Sequence, residues 1–182
     1  MTAEALIILV VRVLGSLPVL RWALAGAVIA ILVDLSDLFL RDWIDLGGIP
    51  DYQSFDKWLD QVYLLAFLVV ALRWEGVPRT IAIVLYAVRL VGFALFEVTE
   101  ERAVLFLFPN VFEFWFLFVA ATLRWRPAFR YTTRNTAIAL VALTALKELH
   151  EYALHVGRWL DEFSSTGEFF DAIRDWLVGP FS

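Results

Sequence analysis

The chain has 182 residues, 61% of them hydrophobic, a net charge of −5 and a mean hydropathy of +0.73. That apolar share exceeds the roughly 45–50% of an ordinary soluble domain, and the net acidity argues against nucleic acid, because phosphate binding needs a basic surface. There is no cysteine, which excludes disulfides, thiolate metal sites and cysteine nucleophiles.

The first apolar run, Ala5 to Leu14, is interrupted by Arg12 and closed by "GSLP". It is too short to cross a hydrocarbon core about 30 Å thick, so an interfacial or re-entrant helix is expected. No basic residue precedes it, and a secretory signal needs a positive start; the segment is therefore read as part of the mature chain. Five membrane spans are expected next, at about 19–40, 57–74, 78–100, 103–125 and 133–158. None of these runs alternates as a transmembrane β-strand would. The expected fold class is thus an all-α integral membrane protein, one helical bundle over residues 1–160. In the tail, 161–182, Phe169, Phe170, Ile173, Trp176 and Leu177 share one helical face. This tail is expected to lie on the outer surface or to dock a protein partner or a second copy.

Arginines set the expected orientation. Arg21, then Arg73 and Arg79, then Arg124, Arg126, Arg130 and Arg134 fall at alternate span ends, while the opposite loops and the tail are acidic. By the positive-inside rule the arginine side is cytoplasmic, which places the N-terminus inside, the C-terminus outside and the protein in the plasma (inner) membrane. Trp22, Trp74 and Trp125 stand beside these arginines, as aromatic anchors do at the membrane interface.

A weak repeat at an offset of 51 relates 60–101 to 111–152: "LRW" recurs, Arg79 matches Arg130, and "ALFEVTE" matches "ALKELHE". Both copies run in the same direction, so a duplicated two-helix unit is expected.

Counting 1.5 Å per residue from the arginine end of each span gives every ionisable residue a depth. Asp34 and Asp60 fall at roughly 20 Å, Arg89 at ~15 Å, Glu113 at ~16 Å with Asn110 a turn further out, and Glu148 at ~21 Å beside Lys147. Asp37, Glu97, His150 and Glu151 follow at roughly 24–27 Å, with Glu100 and His155 near the outer boundary. Spacing of three residues puts Asp34/Asp37, Glu97/Glu100, Asn110/Glu113 and Glu148/Glu151 each on one helix face. His155, four residues after Glu151, extends that stripe, and Arg89 falls near the stripe of Glu97. A charge at mid-bilayer costs at least ~2.5–3.5 kcal/mol, so these groups are expected to turn inward. Arg89 with Glu113 is the expected pair, because their depths agree.

After Arg89 and Lys147 are matched, carboxylates remain, and excess negative charge in a dry site must hold a proton or another cation. Asp34, Asp37, Asp60, Glu97, Glu113, Glu148, Glu151 and His155 are therefore the expected cation ligands. Arg89 and Lys147 set the charge balance, and Asn110 and His150 complete the polar layer. A divalent metal ion is the expected cofactor if one is held.

Known metal and nucleophile motifs do not fit. "HEYALH" spaces its histidines five apart, about 140° around a helix, whereas a zinc-protease helix needs i and i+4. Di-iron bundles need Glu-x-x-His twice, and neither copy of the repeat supplies it. "EER" at 100–102 resembles the acidic motif of prenyl-type intramembrane proteases, but Leu105 stands where that pattern has arginine. There is no phosphate loop or nucleophile elbow. The expected function is a carboxylate-rich intramembrane cation site serving transport or cofactor-dependent activity. The alternatives are a non-catalytic subunit with a structural polar layer and a membrane enzyme holding a lipid or isoprenoid against "FPNVFEFWFLF".

Overall fold

A computed structural model describes residues 2–43, 52–99, 101, 104 and 107–151. Among them there is no strand. The helices are α1 (Ala3–Ser16), α2 (Ala23–Trp43), α3 (Tyr52–Ala71), α4 (Val77–Thr99), α5 (Val111–Trp125) and α6 (Thr133–Glu151). The tail at 161–182 and His155 lie outside the described residues.

Thr2 caps α1, its hydroxyl accepting from the Ala5 N–H at 3.3 Å. Pro18 then opens a 3-10 turn, Leu17–Leu20, where its missing N–H costs no hydrogen bond. Together they make one helical stretch, Ala3–Leu20, of 18 residues and mean hydropathy 2.1, long and apolar enough to cross a membrane. This corrects the expectation of a segment too short to span: "GSLP" continues the helix rather than closing it. The stretch folds back on α2 as an antiparallel hairpin. A side chain at Gly15 would meet Val33 at 2.8 Å, and one at Gly26 would fall on the backbone of Val19 and Pro18. Only hydrogen fits at Gly26. Thr2 consequently stands at the opposite end of the bundle from Arg21, so the arginine end and the N-terminus do not lie on one side as expected.

Val77–Thr99, of 23 residues and mean hydropathy 2.1, is the second stretch that meets the membrane criterion. Five spans are not established on that measure, for visible reasons. α2 turns polar after Ser36, and its shorter apolar part is Ala23–Ser36; α3 opens with Asp56, Lys57 and Asp60; α6 carries Arg134, Lys147 and Glu148. The expected fourth span breaks at Pro109, which cannot donate to a preceding turn, and α5 runs only from Val111 to Trp125.

The arginine-bearing turns meet at one end. Arg73 donates to the Leu20 carbonyl at 2.9 Å, and Trp115 donates to the Pro78 carbonyl at 3.1 Å while its ring meets Tyr131 at 6.2 Å. Inside that half of the bundle the core is aromatic: Phe67, Phe112, Trp115 and Phe116 are fully buried, with Phe67 stacked on Phe116 at 4.3 Å. The outer faces are apolar and open. Leu6, Val10 and Leu14 on α1, Val84, Val91 and Val98 on α4, and Ile138, Val141 and Leu149 on α6 are all exposed.

Candidate functional site

The polar layer fills the half of the bundle away from the arginine turns, and every helix contributes to it. Its centre is Arg12, 4% exposed. Side chains on a helix lean toward its N-terminus, so the guanidinium of Arg12 reaches away from the Arg21 end, to the level of Asp34. It lies 2.6 Å from Asp34, 2.6 Å from Asp56 and 3.1 Å from Asp60. Asp56 and Asp60 share a face of α3 because they are four residues apart, and both point at α1.

Lys57 lies 2.9 Å from Asp56 and 3.5 Å from Asp60. Arg89, buried on α4, lies 3.8 Å from Asp60 and donates to the Phe108 carbonyl at 3.4 Å. Gly92, one turn beyond Arg89, allows that approach: a side chain there would collide with Phe108. Asp60 is therefore held by three cations from three helices, and the charges of Asp34, Asp56 and Asp60 are formally matched by Arg12, Lys57 and Arg89. Asp34 is the exception in the group. Among the described residues its ion partner is Arg12, which it shares; the contact is made through Oδ1, which is buried and lies close to the guanidinium without hydrogen-bond geometry.

A second cluster begins one turn along α3. The Tyr63 hydroxyl donates to Glu113 at 3.1 Å, and the Asn110 amide donates to Glu113 at 3.0 Å and to the Tyr63 oxygen at 3.4 Å. Asn110 precedes α5 but makes no capping bond; its side chain turns to this cluster instead. Lys147, buried on α6, holds its ammonium 5.4 Å from the Phe114 ring centre, a cation–π distance.

Several expected positions are thus placed. Asp34 and Asp60, counted to equal depth, meet at Arg12. Asn110 and Glu113 bond as their spacing required. Arg89 pairs with Asp60 rather than with Glu113. Glu97 is exposed while Arg89 is buried, because eight residues turn a helix by about 80° and carry Glu97 off the inward stripe. Glu148 is half-buried, with Oε2 enclosed and without a hydrogen bond. The side chains of Asp37, His150 and Glu151 lie outside those described, as does Glu100. Among the described residues no three carboxylates or histidines form a group that could hold a metal ion; the space between Asp34, Asp56 and Asp60 is filled by Arg12.

Arg12, Asp56, Lys57 and Tyr63 were not among the expected site residues. Arg12 had a signal, a lone arginine in an apolar helix, which is a functional-site mark where the helix is long enough to span a membrane. Asp56 and Asp60 had the i,i+4 spacing, hidden because the second span was started at Lys57. Tyr63 lies three residues after Asp60 and carries no signal beyond that register.

No protein-family model, curated protein or solved structure matches this chain.

Proposed function

We propose that this chain is a multi-pass membrane protein with a proton-exchanging carboxylate site, centred on Asp34 and serving ion-coupled transport. The membrane reading is supported by the open apolar faces of α1, α4 and α6 around a charged interior; water-soluble monomers rarely expose contiguous apolar patches beyond a few hundred Å². Six spans with the arginine turns in the cytoplasm place both the N-terminus and the end of α6 outside. The observation that carries the site is the unequal sharing of cations. Among the described residues Asp56 and Asp60 each have two or more cationic partners, while Asp34 has a share of Arg12. A partly enclosed carboxylate that shares its cation with two others is where a mobile cation adds most. Arg12 occupies the place a divalent metal would take, which favours the proton over a metal.

One observation favours a second reading, a non-catalytic scaffold: among the described residues Asp34, Asp56 and Asp60 are matched by Arg12, Lys57 and Arg89, and a self-neutralised network ties helices together without any ligand. Proteoliposomes with an internal pH dye and an imposed pH gradient separate the two. The wild-type protein should dissipate the gradient and Asp34→Asn should not. Wild-type rates equal to those of empty liposomes, with the protein folded and inserted, would leave the scaffold. A metal that copurifies stoichiometrically and is lost in Asp34→Asn would replace the proton by that metal.

A further inference from the structure

The connection between α5 and α6 carries Arg124, Arg126, Arg130 and Arg134, all exposed. Among the described residues none of them enters an ion pair, and no acidic residue occurs between Glu113 and Glu148. Four exposed guanidiniums on one short stretch, with no acid among them, make a strongly positive surface. The stretch is also pre-ordered. The Arg126 N–H bonds the Thr122 carbonyl at 2.8 Å, the Phe129 N–H bonds the Arg126 carbonyl at 2.8 Å, and the Asn135 amide bonds the Arg130 carbonyl at 2.9 Å. Phe129 and Tyr131 pack edge to face at 5.0 Å, Phe118 packs on Phe129 at 5.6 Å, and the Tyr131 hydroxyl bonds Thr122. An anion binding here need not order the backbone, which lowers the cost of association. Trp125, 70% exposed, stands between Arg124 and Arg126; an exposed indole beside arginines marks the depth at which lipid phosphates lie. The Trp115 bond to Pro78 brings Arg79 to the same end.

We propose that this arginine platform binds anionic phospholipid headgroups of the leaflet it faces. The proposal rests on the reading of the chain as a membrane protein. Charge complementarity and the neighbouring exposed indole select lipid over a soluble anion.

The test is native mass spectrometry of the full-length, detergent-purified protein titrated with phosphatidylglycerol or phosphatidylcholine. Phosphatidylglycerol should bind at least about tenfold more tightly. Arg126→Gln with Arg130→Gln should weaken it by about 30-fold, roughly fivefold per arginine, the equivalent of ~1 kcal/mol each, and should leave phosphatidylcholine unchanged. Arg126→Lys with Arg130→Lys should retain most of the preference and guards against a glutamine pair that fails to fold. Equal binding of the two lipids, a preference that survives in the glutamine pair, displacement by millimolar inorganic phosphate, or nucleic acid retained in place of lipid would each overturn the proposal. A wild-type protein that partitions into the aqueous phase without detergent would instead fail the membrane reading itself.

Discussion

Replacing Arg12 by methionine removes the charge at the centre of the polar layer while keeping an unbranched apolar stem. At about 4 Å between charge centres and an effective dielectric near 20, each aspartate interacts with Arg12 by ~4 kcal/mol. Most of this is offset by the several kcal/mol needed to dehydrate each ion. The loss on truncation is therefore not the sum of three contacts but the cost of stranding buried carboxylates, ~3–5 kcal/mol. For a chain of this size each kcal/mol moves the midpoint by roughly 2–4 °C, so Arg12→Met should melt about 6–20 °C below wild type in detergent. Asp34, 2.6 Å from Arg12, has no other ion partner among the described residues, so adding Asp34→Asn removes one stranded charge. The double variant should recover part of the loss, with a coupling of ~0.5–3 kcal/mol. Arg12→Lys should fall between, because an ammonium cannot fork toward three carboxylates. A variant that melts with the wild type, or a double variant whose losses simply add, would refute the network as described.

The remaining expectations are local. Gly26→Ala should cost ~1–3 kcal/mol or more by thermal melt, because the new methyl falls on rigid backbone of Val19 and Pro18; a neutral result would mean α1 and α2 do not pack as a hairpin. Gly76→Ala meets nothing within 4 Å and is penalised only by its φ of 62°, so its loss should stay near ~1–2 kcal/mol. Tyr63→Phe takes one donor from Glu113 and should cost ~1.5–3 kcal/mol, the range for a hydrogen bond to a charged group; wild-type stability in that variant would remove Tyr63 from the site.

Helices were legible where apolar runs were long, and the positions of α2, α3, α4 and α6 lie close to the expected spans. α1 was not, because Pro18 reads as a stop on paper yet starts a 3-10 turn that lengthens the helix. That single boundary hid Arg12, and without Arg12 the carboxylates looked unmatched. The early start of α3 hid Asp56 and left Lys57 at a span edge rather than inside the charge balance. Depth counting located Asp34 and Asp60 at one level, since depth follows from rise per residue. It could not choose between Asp60 and Glu113 as the partner of Arg89, since that depends on which helices are neighbours and on how far Gly92 lets Phe108 approach. Glu97 and Glu148, matched by the repeat, occupy different surroundings: one exposed on α4, the other half-buried on α6.

The proposed proton exchange at Asp34 can be tested without a transport assay. Infrared titration of the purified protein follows the carbonyl band of protonated carboxyl groups. A band that appears and disappears reversibly with pH, and that is absent in Asp34→Asn, is expected. A spectrum without such a band would contradict the proposal and leave a permanently ionised, structural network; a band left intact in Asp34→Asn would contradict it by assigning the exchange to another carboxyl group.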